Sequence, residues 1–298
     1  MRSLSVTRIH PLTRLRIVAE LFKLRLATLV VVSAAFGYLT GAGAVSFAQL
    51  VVLCVGGTLL TGGSNGLNQV WEREADQLMA RTAGRPIPTA RLSVTESIIW
   101  SGAAAILGVF LLWYFLNTAS GVLGLLAFFI YVFLYTPLKK VTNLAVFVGA
   151  IPGAIPPMLG YVAATNDYGI EAGSLFAMQF MWQFPHFWAI AWVLHDDYRQ
   201  AGYSLLPLHE GKTSRSAFII LIYTLFLIPV SLMPAFFPIG APVCGPAAQV
   251  IALVSGLVMA WYAFRLWRDL QPASAKRLMF ASFFYLPAVQ LAYWLDRI

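Results

Sequence analysis

Residues 47–76 read FAQLVVLCVGGTLLTGGSNGLNQVWEREAD, an uncharged run that ends on a row of oxygen-bearing side chains. From Phe47 to Asn68 there is no Asp, Glu, Lys or Arg. That length of apolar helix crosses the hydrocarbon core of a bilayer. Asn68, Glu72 and Asp76 then follow at intervals of four. In a continuing helix they share one face, drifting about 40° per step over about 12 Å of axis. The spacing predicts a membrane helix with polar chemistry at one of its ends.

The rest of the chain agrees. Of 298 residues, 59% are hydrophobic and 11% charged. A soluble domain carries about a quarter charged residues, so an ordinary soluble protein and a disordered chain are both excluded. Two cysteines, Cys54 and Cys244, make neither a disulfide scaffold nor a cysteine-ligated metal cluster. Four scattered histidines make no zinc motif. The net charge of +8 could suit nucleic acid, but the basic residues sit between apolar runs, so no nucleic-acid partner is expected.

Nine spans are predicted, at roughly 26–44, 47–68, 94–115, 119–137, 144–163, 174–194, 216–236, 247–267 and 277–295. The fifth is interrupted by Pro152, Pro156 and Pro157, which a membrane helix tolerates when neighbours satisfy the freed backbone groups. With nine spans, 19 of the 20 basic residues fall on one side and only Arg297 on the other. The positive-inside rule puts the N-terminus in the cytoplasm and the C-terminus outside. Residues 1–25, including Arg2, Arg8 and His10, read as a cytoplasmic flank of a single membrane domain spanning 1–298. That flank has only Glu20 as an acid and so also resembles a mitochondrial transit peptide. No cleavable signal peptide is expected, since the first span lacks a clear cleavage site.

Charge inside a membrane protein tends to mark function. Six of the 12 acidic residues fall in two cytoplasmic loops. The first loop holds Glu72, Glu74 and Asp76; the second holds Asp196, Asp197 and Glu210. The Asn68, Glu72, Asp76 spacing is too long to close on one ion. It suits Mg²⁺ ions held by one or two carboxylates each, with phosphate and water completing the shell. It equally suits an ordinary amphipathic helix end with i,i+4 charge pairs. Arg81 and Arg85, themselves four apart, follow before Pro86 and Pro88 stop the helix, and Ser93 to Glu96 forms a capping box for the next. The second cluster, His195-Asp-Asp-Tyr-Arg199, follows the sixth span, which runs parallel to the second. Spans 1–4 and 5–8 could thus be parallel repeats that bring the two acidic ends together. Arg81, Arg85, Arg199 and Lys212 lie on the same side and could clamp a diphosphate. Lys139 and Lys140 are read as topological charges only.

Several stretches together resemble the UbiA-like intramembrane prenyltransferase superfamily. The general motif is Asn68-x₃-Glu72-x₃-Asp76, with the second acidic cluster after the sixth span. Four stretches resemble, more narrowly, the branch that farnesylates heme: Arg81–Pro88 (RTAGRPIP), Gly149–Pro157 (GAIPGAIPP), Trp182–Trp188 (WQFPHFW) and Asp196–Pro207 (DDYRQAGYSLLP). The resemblance covers nearly everything from about residue 20. Departures are Glu72 where the superfamily usually has aspartate, Lys23-Leu24-Arg25 where a Lys-Pro-Arg entry is common, and a second cluster without two aspartates four apart.

The resemblance implies farnesyl diphosphate and heme B as substrates, heme O and diphosphate as products, and Mg²⁺ as cofactor. It implies that Asn68, Glu72, Asp76, Asp196 and Asp197 hold metal and serve catalysis, while Arg81, Arg85, Arg199 and Lys212 hold the diphosphate. Trp182, His186 and His195 are the candidates for contact with heme. For His186 the alternative is a buried histidine bonded to a neighbouring helix. The 21 Phe, 12 Tyr and 9 Trp offer rings that could shield a carbocation. The implied setting is a bacterial inner membrane, with the lipid bilayer, heme A synthase or oxidase assembly proteins as partners. Three other readings fit parts of the sequence: a prenyltransferase with an aromatic quinone-precursor acceptor, a transporter, or an oxidase assembly factor.

Overall fold

The computed structural model describes residues 11–236 and 244–297. Arg2, Arg8 and His10 lie outside the described residues. All regular structure among the described residues is helical. A short α1 (Pro11–Leu21) leads into α2 (Leu24–Gly41), α3 (Phe47–Trp71) and the six-residue α4 (Arg73–Leu78). After a turn-rich loop come α5 (Val94–Phe115) and one long rod, Thr118–Leu138. This rod is α6 (Thr118–Phe129), a π-helical stretch at Ile130–Tyr135, and α7 (Thr136–Leu138). The second half holds α8 (Ala145–Thr165), α9 (Ile170–Val193), the short α10 (His195–Gln200), α11 (Ser214–Phe236), α12 (Pro246–Asp269) and α13 (Pro272–Leu295).

Each predicted span falls on one of these rods, with ends shifted by a few residues. Eight are long and apolar enough to cross a membrane. The ninth, α9, has the length, at 24 residues, but falls short in apolarity. It carries Gln179, Gln183 and His186, which face the inside of the bundle rather than lipid. The three prolines of α8 do not break it; they lie inside one continuous helix. That helix packs so closely on α2 that a side-chain carbon on Gly160 would lie 1.8 Å from the Ala34 carbonyl oxygen. Only glycine permits this approach, the usual device for holding membrane helices together.

One expectation is corrected. The helix after Asn68 does not run on through Arg81 and Arg85. It pauses at Glu72, resumes as α4 and ends at Met79, which is extended. The cause is tertiary. Thr82 Oγ1 donates to the Asp76 carbonyl at 2.8 Å, and the Ala80 N–H donates to Asp197 Oδ1 at 3.0 Å. These bonds turn the chain back over the bundle end. The capping box is present as expected, with Ser93 and Glu96 bonding reciprocally.

Candidate active site

The site sits where the C-terminal ends of α3, α7 and α9 meet the N-terminal ends of α2, α5, α8 and α11. Its floor is an apolar cavity of ≈ 360 Å³ between the first-half helices and α8, α9 and α13. Gly57, Leu60, Thr61, Ser64 and Asn65 of α3 line one wall. Asn68 and Glu72 follow on the same helix, one and two turns above Asn65. Leu29 and Leu26 of α2 line the opposite side and are 63% and 48% exposed, so the cavity reaches the lipid-facing surface there. α2 and α13 are joined by Ser33 with Gln290, Phe36 with Trp294, and Arg297 with the Leu39 and Ala42 carbonyls. All of these contacts lie in the halves away from the acidic cap.

Asn68, Glu72 and Asp76 are buried, and the cations around them, Lys23, Arg85 and Lys139, are partly buried. Lys139 Nζ lies 2.5 Å from Glu72 Oε1. Arg85 Nη1 lies 2.7 Å from both Asp76 carboxylate oxygens. Lys23 Nζ donates to Asn68 Oδ1 at 3.3 Å, and Asn68 Nδ2 donates to Thr136 Oγ1 at 3.2 Å. Lys23 reaches the site because it occupies a left-handed kink, φ 49°, between α1 and α2. That kink is held by Gln69 donating to the Leu21 carbonyl at 2.6 Å and Asn65 donating to the Phe22 carbonyl at 3.1 Å. Lys139 also stands over the Tyr135 ring, 4.7 Å from its centroid.

Electrostatics follow from this crowding. Burial lowers the Lys23 ammonium to about 7, and Arg85 adds to the effect while Glu72 opposes it. Burial alone would raise the Glu72 carboxyl, but Lys139, with Lys23 and Arg85 behind it, holds it below the usual carboxylate value. Burial works against the Lys139 charge, and Glu72 outweighs it, so Lys139 rises above an ordinary lysine. The Tyr203 hydroxyl is raised by burial and by the charge of Glu72. Two carboxylates thus face three basic side chains, and the cap has room for further negative charge.

The other predicted residues are placed differently. Asp197 uses Oδ1 on the Ala80 N–H, and Arg81 lies over the Tyr198 ring at 6.0 Å. These contacts bring the two acidic loops together as neighbours. Asp196 is 84% exposed and pairs with Lys212 at 3.6 Å, so both lie at the rim. Arg199 is exposed. His195 is half-buried against Gly211, and burial followed by Lys212 lowers its imidazole. Lys139, read from sequence as topological, is a partly buried member of the site, paired with Glu72. Sequence reasoning also missed Lys23; only its position at the departure from Lys-Pro-Arg could have drawn attention to it. Trp182 and His186 line the cavity.

The model of the UbiA prenyltransferase family matches residues 29–286. The chain belongs to the UbiA prenyltransferase family. Within it, the chain is similar over nearly its whole length to protoheme IX farnesyltransferases. That of Cytophaga hutchinsonii is 44% identical over 280 residues, covering 94% of this chain and 96% of its own. That of Christiangramia forsetii is 46% identical over 279 residues, covering 93% and 92%. Among solved structures, a digeranylgeranylglyceryl phosphate synthase aligns with TM-score 0.79 at 15% identity, covering 95% of this chain and 98% of its own. A UbiA homolog from Archaeoglobus fulgidus, bound to GPP and Mg²⁺, aligns with TM-score 0.68 at 15% identity, covering 93% and 99%. At that identity the likeness shows the fold.

The residues of this chain can be tested against Mg²⁺. The ion prefers hard oxygen ligands and keeps waters, joining one or two carboxylates to substrate phosphates. The Asn68 amide oxygen, Glu72 and Asp76 supply that chemistry. Among the described residues no three Asp, Glu, His or Cys side chains close on one point. The donor set therefore fits an ion shared with a phosphate, not a cage made by protein alone.

Proposed function

We propose that this chain transfers the farnesyl group of farnesyl diphosphate to a vinyl group of heme B, with addition of water, giving heme O and diphosphate. The observation that carries this reading is the junction of a buried, cation-rich cap with an apolar cavity running along α3. Such a junction fits a ligand with an anionic head and a hydrocarbon tail. The 44–46% identity to protoheme IX farnesyltransferases supports the choice of heme as acceptor.

In this reading Lys23, Arg85 and Lys139 hold the diphosphate oxygens, with Arg81, Arg199 and Lys212 guiding it in from the rim. Asn68, Glu72 and Asp76 would hold Mg²⁺ there, and Asp196 and Asp197 lie on the neighbouring loop, which meets theirs at Ala80. Bound there, Mg²⁺ neutralises charge on the leaving group. The farnesyl chain lies in the cavity, which excludes water from the C1–oxygen bond as it breaks. Tyr131, Tyr135 and Phe187 line the cavity, and their rings face the developing cation. The terminal vinyl carbon of heme bonds to C1. The charge passes to the carbon next to the porphyrin, and water adds there with loss of a proton.

We further place nine helices across a bacterial inner membrane, N-terminus in the cytoplasm, as two parallel four-helix repeats plus α13. The succession of neighbours supports the repeats. α2 packs on α3, α3 on α5 and α5 on α6, just as α8 packs on α9, α9 on α11 and α11 on α12.

The test is a product assay. Purified protein in detergent receives heme B, farnesyl diphosphate and Mg²⁺, and the extracted pigment is weighed by mass spectrometry. A mass gain of one hydroxyethylfarnesyl group, lost in a Glu72→Ala, Asp76→Ala double variant, is expected. Unchanged heme, with prenylation of a phenolic acceptor in its place, would move the chain to the quinone-precursor reading.

A further inference from the structure

Farnesyl transfer to heme places two opposed demands on water. Water must stay away from C1 while the carbon–oxygen bond breaks, yet one molecule must add to the carbon beside the porphyrin. An apolar cavity meets both demands if it holds a single water at a fixed point. Such a water takes about two to four polar partners.

Most polar groups of the cavity wall are already used. Ser64 Oγ donates to the Leu60 carbonyl at 2.8 Å, and Trp182 Nε1 donates to the Ser282 carbonyl at 2.9 Å. Gln179 is filled at both ends. Its Oε1 accepts from Ser33 and Gln290 at 2.8 and 2.7 Å, and its Nε2 donates to the Gly153 carbonyl at 2.7 Å. That carbonyl is open to Gln179 because Pro157 has no N–H to give it. Gln183, one turn further along α9, also lines the cavity, and its amide makes no hydrogen bond to a described residue. An amide carries an acceptor oxygen and two N–H donors, so it can offer one water both kinds of bond. Two lining hydroxyls are also unpaired, but Tyr135 lies at the cap under Lys139 and Thr61 on the α3 wall that the tail follows.

Helix α8 fixes where the Gln183 amide stands. A first side-chain carbon on Gly149 would lie 2.6 Å from the Tyr135 ring, and one on Gly153 would lie 2.4 Å from Gln183 Nε2. Gln183 is therefore about one helical turn, roughly 5 Å, deeper than Tyr135. Tyr135 meets Phe187 edge-on at 6.4 Å, and those rings face the breaking bond. A water on Gln183 is kept a turn away from that bond yet inside the same cavity.

Resting on the heme reading above, we propose that Gln183 is the positioning residue for the water that adds to heme. Its amide holds one molecule until the cation forms beside the porphyrin. The water oxygen bonds to that carbon, one O–H bond breaks, and the proton passes to the diphosphate released in the same turnover. Without a held water the cation has a second exit. A C–H bond breaks on the former terminal vinyl carbon, the proton goes to the same acceptor, and the alkene formed is lighter than heme O by one water.

The experiment uses the full chain in detergent with heme B, farnesyl diphosphate and Mg²⁺. Pigments are separated by chromatography and then weighed, so that hydroxylated and dehydrated products and total heme consumed are read independently. Gln183→Met keeps the length of the side chain and removes its hydrogen bonds. Gly153→Ala keeps the amide but displaces it, since the clash falls on the far end of a flexible side chain. Each is expected to raise the ratio of dehydrated to hydroxylated product roughly tenfold or more, as loss of a hydrogen bond to the reacting water implies. Total heme consumed should fall much less. Gln183→Glu, which keeps an acceptor oxygen at the same reach, should restore mostly hydroxylated product. Far-UV circular dichroism and size-exclusion profiles confirm folding. An unchanged ratio in both Gln183→Met and Gly153→Ala would overturn the role of Gln183 and leave the farnesyl transfer standing. A folded Gln183→Met that consumes no heme would also overturn it, because the first carbon–carbon bond needs no water. Wild type that attaches no farnesyl group to heme would overturn the transfer itself, and the water site with it.

Discussion

Lys139 Nζ stands 2.5 Å from Glu72 Oε1, with both side chains nearly sealed from solvent. The pair ties the end of α7 to the end of α3. It leaves Glu72 charged in a place where burial alone would favour its neutral form. Breaking a buried pair is costly because the survivor is left charged and unpaired, on the order of 3 kcal/mol or more. Lys139→Met is therefore expected to lower the unfolding temperature in detergent. The Lys139→Met, Glu72→Gln double variant should recover most of that loss yet stay inactive. Full activity in the double variant would remove both residues from the diphosphate site.

Chelation separates the two substrates. With EDTA, turnover should stop and return on addition of excess Mg²⁺. The absorption change on adding heme B should persist throughout, since Trp182 and His186, the candidates for contact with heme, lie in the cavity wall and away from the acidic cap. If heme binding is lost together with turnover, the two sites are not independent.

Cavity length should set the preferred hydrocarbon chain. Gly124 lines the cavity, and a side chain there meets first the ends of Leu60 and Leu112, 2.9 and 3.0 Å from its first carbon. Gly124→Leu fills space without striking backbone. A few methylenes in an apolar pocket are worth about 1–3 kcal/mol each in selectivity. The variant is expected to shift the kcat/KM ratio of geranyl over farnesyl diphosphate upward by roughly tenfold or more. An unchanged ratio would place the tail elsewhere.

Topology is open to chemical labelling. In a Cys54→Ala, Cys244→Ser background, Lys276→Cys and Asp167→Cys are both exposed and lie at opposite ends of the bundle. A membrane-impermeant maleimide added to intact cells should reach position 167 and spare position 276. Inverted vesicles should give the reverse. Labelling of both from one side would exclude nine spans.

Much of this was legible in the sequence for simple reasons. An uncharged run of about 20 residues must be a helix in lipid, because no other local structure satisfies its own backbone. The basic residues, crowded between runs, give the expected orientation. The i,i+4 spacing gave Asn68, Glu72 and Asp76, because neighbours on a helix face are a local property. Helix ends were less secure. The stop at Met79 depends on Asp197, 117 residues away from the Ala80 N–H it binds.

Composition and periodicity therefore determined a helical membrane protein with an acidic cap on its basic side, since lipid imposes those rules on each segment separately. Only the tertiary structure decided which charges meet. Lys139 looked like one of many positive-inside residues, and Lys23 like part of a flank, until the π-helical rod and the left-handed kink carried them to Glu72 and Asn68. It also decided that Asp196 would lie at the rim and that Ser282, distant in sequence, would bond to the His186 ring. Long-range pairing leaves no trace in local spacing, because the packing of separate helices alone fixes the few ångströms on which a salt bridge or a hydrogen bond depends.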